Sequence, residues 1–584
     1  MERRQFINTS LAGLGSLLTP SVTRTDYAGE LAQTLVPKPS DVFAYRGWSF
    51  SVNSYNWPLL EANISAALDR FQDYGINTFE LHDYSIGHRG LVDAAVTYRF
   101  LPKLAGQKSL TYRGEVCSHG QKSQDYEKLR DLSRKIKNKG LKLNSWYHVL
   151  RDAPAELFSL YPEARDLDSG FFWAYLADLL REFFERVPEV DRLVLTSLHE
   201  TPSVLHSAAP EKKDERLLKL YKTIYEVCSQ AGKELVIRDF IVRYEDFLLF
   251  WDILAKLPND VYVMTKDVLA DWIHIGMPLN PFIQRYAGRK LIVEFDLYGE
   301  YWGRLDMPAC YPEYLHRQIR MIKAHGALGA VGRVVHDDRR SHTFETVFDS
   351  PNDINCFAFG QFLSRPLPWL GAGMFTDPRE VAGRWGWDLD AFDKNVCLEW
   401  GRRRYGPEAA IPVMRALSRT AQTVSLTTEI GGRGFQEHSY VPGVRFVSFL
   451  WEPFIKQVQS LGMDFLRDEK VQAHRTIELC LEEIHSARKM LAAKDYDQLV
   501  TLFQGELLII RAYQAVLEGY YQIYSAQGRS SPRTRNRASS EMRSLAREIT
   551  VRRGLEFFGR LPDTLREFAE FTDAGKAPPR ATSS

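Results

Sequence analysis

Ionisable residues in this chain gather just after short runs rich in β-formers. One such run closes with Thr196-Ser197-Leu198-His199-Glu200, and the next carries Ile237-Arg238-Asp239. A third carries Thr265-Lys266-Asp267, with Asp271-Trp272 a few residues on. A fourth reads Val293-Glu294-Phe295-Asp296-Leu297-Tyr298-Gly299-Glu300-Tyr301-Trp302, and a fifth leads into His336-Asp337-Asp338. Carboxylates around an aromatic-lined mouth suit glycoside hydrolysis. One carboxylic acid protonates the leaving oxygen, while an opposing carboxylate activates water or attacks the sugar. Trp48, Trp146, Trp272 and Trp302 are candidates to stack on the apolar faces of sugar rings. Each residue also has a plainer reading. An acid at a strand end is often a helix cap, His199 can be a packing residue, and Glu294 and Asp296 share one strand face, where one of them can be a buried structural group.

The spacing of these runs names the scaffold. β-rich segments fall at Phe43–Val52, Thr78–His82, Lys142–Leu150, Arg192–Glu200, Glu234–Val242, Val261–Asp267, Lys290–Tyr298 and Leu328–Val335. Helical periodicity separates most of them, as at Leu59–Tyr74, Asp125–Lys139, Phe171–Arg186, Glu215–Gln230 and Ala309–His325. Eight strand–helix alternations predict an α/β fold, a (β/α)8 TIM barrel over residues 43–369, with its chemistry at the C-terminal ends of the strands. Gly75, Gly140 and Gly232 stand where helices must stop. No glycine-rich phosphate-binding pattern follows any strand, which weighs against a doubly wound nucleotide-binding sheet. Beyond the barrel, helical patterns at Asp388–Tyr405, Glu408–Val424, Val471–Ala493, Tyr496–Ala526 and Glu541–Phe558 predict an all-α C-terminal domain over 370–572. Gly431–Tyr440 reads as an aromatic, glycine-rich loop reaching the barrel mouth, Arg529–Ser540 as a solvated connector, and 573–584 as a disordered tail.

Composition excludes several classes of partner. The 584 residues carry 75 basic and 74 acidic side chains, so no global field draws nucleic acid or an anionic surface. The six cysteines have no CxxC spacing, which argues against a zinc ribbon or dithiol site. No segment past the N-terminus approaches 18 consecutive apolar residues, so no integral membrane segment is expected. Arg3-Arg4-Gln5-Phe6 before a small-residue apolar run predicts a twin-arginine export signal over 1–27, and hence a periplasmic or extracellular protein.

Several of these runs also resemble, in order, the α-glucuronidases of glycoside hydrolase family 67. Lys266-Asp267-Val268-Leu269-Ala270-Asp271-Trp272 is similar to that family's Lys-x-x-x-x-Asp-aromatic run, and Glu294 to Gly303 to its Glu-x-Gln-x-x-Gln-Glu-Tyr-x-Gly run. Asp353-Ile354-Asn355-Cys356-Phe357-Ala358-Phe359-Gly360 resembles a family helix, Ala309-Cys310-Tyr311 a short family run, and Trp57 through Asn77 the first barrel helix and second strand. The resemblance spans residues 45 to 425. It implies an inverting glycosidase in which Glu200 is the general acid and Asp271 and Glu300 hold and activate the water. It further implies that Arg238 and Lys266 bind a sugar carboxylate. A planar guanidinium suits that group, and an ammonium adds charge.

Three departures qualify the resemblance: Leu198-His199-Glu200-Thr201 replaces Asn-Ser-Glu-Gly, Asp267-Val268-Leu269 replaces Asn-Gly-Pro, and the family's N-terminal β-domain is absent. They leave the uronic-acid subsite better supported than the leaving-group subsite. The expectation is therefore a hydrolase that releases a terminal α-linked uronic acid of glucuronic-acid type from an oligosaccharide. Its substrate contacts are expected from Arg238, Lys266, Trp146, Trp272, Trp302 and Glu294. No metal or cofactor is expected, and a homodimer through the helical domain is. The alternatives are a barrel glycosidase for a neutral sugar and a non-catalytic carbohydrate-binding relative.

Overall fold

In the computed structural model, residues 42–51, 57–82, 90–151, 153–196, 212–239, 244–269, 272, 275–302, 305, 307–336, 344–366, 391–430, 433–434, 460–524, 532–551 and 561–574 are described. Eight parallel strands close into a barrel: β1 Tyr45–Ser51, β2 Thr78–Leu81, β3 Lys142–His148, β4 Arg192–Thr196, β5 Glu234–Arg238, β6 Tyr262–Lys266, β7 Lys290–Asp296 and β8 Gly329–His336. Seven lie within the runs predicted from sequence, and β8 extends one residue past its run, to His336. The barrel's helical layer includes α1 Trp57–Leu68, α2 Phe71–Tyr74, α3 His119–Asn138, α4 Gly170–Arg186, α5 Lys213–Gln230, α6 Tyr244–Leu254, α7 Pro312–Ala324 and α8 Asp353–Ser364.

Strand alternation divides the interior into two apolar groups. On β7, Leu291, Val293 and Phe295 face the helices, while Ile292 joins Tyr45, Trp146, Val194, Val236, Tyr262, Met264 and Val331 inside the barrel. The helices answer with apolar stripes at helical spacing. On α4, Phe172, Leu176, Leu179, Leu180 and Phe183 are buried, and on α7, Leu315, Ile319 and Ile322. The same alternation corrects one candidate. Trp48 stands on the outer face of β1, packed on Tyr74, Phe79 and Phe348, with ring centroids 4.9 Å apart in the last pair.

The C-terminal region is helical: α9 Ala391–Tyr405, α10 Ala410–Leu417, α11 Thr420–Thr428, α12 Met463–Ser486, α13 Ala493–Tyr524, α14 Pro532–Val551 and α15 Leu561–Ala574. It is pinned to the barrel by buried polar bonds. The Trp400 indole donates to Asp353 at 2.9 Å, and the Cys310 amide donates to the Thr420 hydroxyl at 2.9 Å. Two expectations change here. Helix α14 begins at Pro532, so most of the presumed connector is its first turns, and α15 carries through Asp573, which pairs with Arg543. A stretch of α13, Ala493–Gly519, is long and apolar enough to cross a bilayer by length and composition, but 67% of its apolar window is buried inside the protein, as in a core helix, which accords with the expectation of no integral membrane segment. All six cysteines are buried and none is in a disulfide. Residues 1–27 and most of the Gly431–Tyr440 loop lie outside the described residues, as does the 369/370 boundary.

Gly75 and Gly140 both adopt left-handed backbone at helix ends, with φ of +78° and +79°. They differ in surroundings. A Cβ on Gly75 would stand 2.3 Å from the Ser364 hydroxyl, whereas one on Gly140 meets nothing within 4 Å. Gly140→Ala should therefore cost about 1–2 kcal/mol of backbone strain. Gly75→Ala should cost a further ~1–3 kcal/mol from overpacking against α8. Denaturant melts of the two variants check this, and equal losses would contradict the packing argument.

Candidate active site

Inside the C-terminal end of the barrel, β5 to β8 present a connected charge cluster. Glu294 of β7 is fully buried and lies between two arginines. From β5, Arg238 donates to Glu294 Oε2 through Nε at 2.7 Å and through a terminal nitrogen at 2.6 Å. From β8, Arg333 donates to Oε1 at 2.8 Å. Its other terminal nitrogen donates to Glu300 Oε2 at 2.9 Å. Lys266, on β6 opposite Glu294 in the register, completes the cation set. Burial alone would raise the pKa of Glu294, but Arg238, Arg333 and Lys266 override it and hold the carboxyl at about 2. Arg333 is pushed up in turn: burial opposes its charge, and Glu294, Glu300 and Asp296 outweigh burial.

The loop after β7 is built to present Glu300. Asp296 accepts backbone N–H bonds from Tyr298 at 3.0 Å, Gly299 at 3.2 Å and Glu300 at 2.7 Å. Gly299 closes this turn with φ +80°, where a side chain would be strained. Burial, reinforced by the nearby charge of Glu300, raises Asp296 to about 6 despite Arg333 and the backbone donors.

Two tryptophans wall this cluster. The Trp272 ring has Lys266 Nζ 4.0 Å and Arg333 Cζ 4.8 Å from its centroid, and its indole donates to Asp267 at 2.7 Å. The Trp146 ring lies 5.0 Å from Arg238 Cζ and packs against the His82 ring at 4.3 Å with a tilt of 33°, and its indole donates to Glu80 at 3.0 Å. Both rings are buried in these packing roles. Trp302 is elsewhere: it is buried edge-on against Tyr311, with centroids 4.8 Å apart. Of the residues expected from sequence, the fold brings together Arg238, Lys266, Glu294, Glu300, Trp146 and Trp272. Glu200 and Asp271 lie outside the described residues.

Sequence reasoning missed Arg333. Its signal was available, since β8 alternates Val331, Arg333 and Val335, placing an arginine on the face shared with an inward valine. It also missed two buried hydroxyls that the register turns inward, Ser49 and Thr196, neither of which has a hydrogen-bond partner among the described residues. Asp239 and Asp267 follow inward cations but turn to the helix layer. Asp239 accepts from the Tyr286 hydroxyl, and Asp267 from the Tyr314 hydroxyl at 2.8 Å. Burial raises Asp239 to about 6 and Asp267 to about 7, with neutral donors only partly opposing it.

No protein-family model and no curated protein matches the sequence, so the family-67 resemblance rests on its short motifs. Solved structures match the fold. One is a GH138 enzyme targeting pectin rhamnogalacturonan II, with TM-score 0.61 and 11% identity over 92% of this chain and 83% of the other. Another is a family 89 glycoside hydrolase from Clostridium perfringens, with TM-score 0.51 and 13% identity over 92% of this chain and 61% of the other.

Because Glu294 is held far below its ordinary value, it stabilises the fold fully above pH ~4.5, and that contribution is lost as pH falls through about 2. Glu294→Gln should thus cost about 3–5 kcal/mol near neutrality by leaving buried arginine charge uncompensated. The gap in Tm from wild type should narrow as the pH is lowered from 5 toward 2. A gap independent of pH would contradict the ion-pair assignment. The cations and carboxylates stand at the C-terminal ends of the parallel strands, the end at which (β/α)8 barrels hold their active sites.

Proposed function

We propose that the chain is an exported glycoside hydrolase that releases a terminal α-linked uronic acid from an oligosaccharide by single displacement with inversion. The observation that carries the substrate class is a concentration of cations: Arg238, Lys266 and Arg333 stand on three strands around Glu294 at the C-terminal end of the barrel. A sugar carboxylate is the substrate group that such a set of cations would recognise. The pectic target of the GH138 structural neighbour accords with an acidic substrate.

In this reading Glu200 donates a proton to the leaving oxygen, and Asp271 and Glu300 bind and deprotonate the attacking water from the opposite face. Arg238 and Lys266 engage the substrate carboxylate, and the inward hydroxyls of Ser49 and Thr196 supply further donors for sugar oxygens. The deciding experiment incubates the protein with uronic-acid-capped oligosaccharides and their neutral analogues and reads the released sugar. Uronide turnover is expected, with the β-anomer first by proton NMR. Turnover of the neutral series alone would make it a neutral-sugar glycosidase, and binding without turnover a carbohydrate-binding relative.

Two variants refine the assignment. Glu200→Gln should lower turnover of natural glycosides by about 10²–10⁴-fold while sparing substrates whose leaving group needs no proton. KM for the uronide should rise between pH 5 and 7.5 as Asp296, raised to about 6, ionises beside the cations, while KM for a neutral analogue stays flat. Arg238→Ala should lower kcat/KM for the uronide about 30-fold or more, through a carboxylate left without its partner. A parallel loss on both substrates would remove the uronic-acid reading.

A further inference from the structure

Arg333 touches both Glu294 and Glu300. It is nearly buried, and its two terminal nitrogens divide between them, at 2.8 Å and 2.9 Å. Glu294 is in turn held by Arg238 of β5 at 2.6 Å. A rigid chain therefore runs from β5 through β7 and β8 to a side chain on the loop after β7. That loop fixes its own backbone through Asp296, but the backbone turn alone does not aim a glutamate, whose side chain has three rotatable bonds. The Arg333 contact supplies the aim.

We propose that Arg333 is a positioning residue for Glu300: braced by Glu294, it fixes the direction of the Glu300 carboxylate and keeps that group an anion. The inference rests on the hydrolase reading only for its kinetic consequence, because the coupling between the two side chains is a property of the barrel itself. Its logic follows from what faces Glu300. Asp296 lies close enough for the two carboxylates to repel, and Glu294, two residues before it on β7, shares Arg333 with Glu300. Two carboxylates in one buried site ordinarily share a proton. Here the asymmetry is set by Arg333, which bonds Glu300, while Asp296 is bonded by neutral backbone N–H groups. The arginine thus favours the charge on Glu300, and the proton that the site takes up as pH falls through about 6 goes to Asp296. A group that must take a proton from water has to be ionised and aimed, so this division suits Glu300 as the water-activating base.

The test compares wild type with Arg333→Gln and Arg333→Lys, each checked for folding by its melting curve. Glutamate labelled with 13C at the side-chain carboxyl is titrated by NMR, with the Glu300 signal assigned by its loss in Glu300→Gln. In parallel, kcat and KM are followed against pH on the uronide. Removing an opposite charge at this distance should raise the Glu300 midpoint by about 1–3 pH units in Arg333→Gln. The acid limb of the rate profile should move with it, and loss of aim should lower kcat by about 10²-fold with little change in KM. Arg333→Lys, which keeps the charge but not the two-armed geometry, should restore the midpoint more fully than kcat. An unchanged Glu300 midpoint in a folded Arg333→Gln protein overturns the proposal, whatever the activity. If Arg333→Gln does not fold, Arg333→Lys decides by its kcat: full wild-type kcat overturns the aiming role. If wild type turns over no glycoside while the midpoint still shifts, the coupling stands and the hydrolase reading falls.

Discussion

A single buried carboxylate, Glu294, determines how half of the barrel mouth is organised. A lone anion at that depth would be very costly, and so would either arginine beside it. Together, Arg238, Glu294 and Arg333 satisfy one another and tie β5, β7 and β8 across the barrel interior. Once the arginines are present, the rest follows. Arg333 has a second arm to place, and Glu300 takes it. Trp272 closes against the remaining faces of Lys266 and Arg333, where an aromatic face is favourable for a cation with few water contacts. The other side of the mouth has a different character. Tyr45, Asn144 and Trp146 all donate to Glu80, and His82 packs on Trp146, a set of uncharged donors around one acid beside the arginine-bridged cluster.

The barrel was legible because its signal is local and repeated. Strand-forming runs recur eight times, helical stripes separate most of them, and Gly75, Gly140 and Gly232 end three of the helices, so each repeat constrains the next. Residue-level roles were legible only in part. Arg238, Lys266, Glu294 and Glu300 could be found because strand-end position is visible in sequence. Who pairs with whom was not, since Arg238 and Glu294 are 56 residues apart and meet only through barrel closure. Arg333 was overlooked for the same reason. A lone arginine between valines looks incidental until two carboxylates from β7 and its loop converge on it. The tryptophans show the opposite failure. Their composition suggested stacking platforms, but parity sends Trp48 outward, and Trp302 is consumed by packing on Tyr311.

Burial does not by itself decide which of these acids is charged. Glu294, Asp296, Asp267, Asp239 and Asp353 are all deeply buried, and burial pushes each one upward. Only Glu294 ends below its ordinary value, because only Glu294 has two guanidinium partners. Asp239 and Asp353 settle at about 6 and Asp267 at about 7, with phenol or indole donors: Tyr286 for the first, Tyr74 and Trp400 for the second, Tyr314 and Trp272 for the third. A neutral donor stabilises a carboxylate less than a cation does, and it is equally content beside a carboxylic acid. The fold thus sorts its acids by the partner it gives them. Those on the outer face of the strands, or at a helix start, meet aromatic hydroxyls and indoles and serve the packing of helices on the barrel. Those turned inward on β7 and its loop meet arginines or the repulsion of another carboxylate. Strand parity makes that division, since Arg238 and Asp239, or Lys266 and Asp267, are neighbours in sequence that face opposite sides of one wall. The chemistry of the mouth therefore depends less on how many carboxylates the strand ends carry than on which of them alternation turns toward the cations.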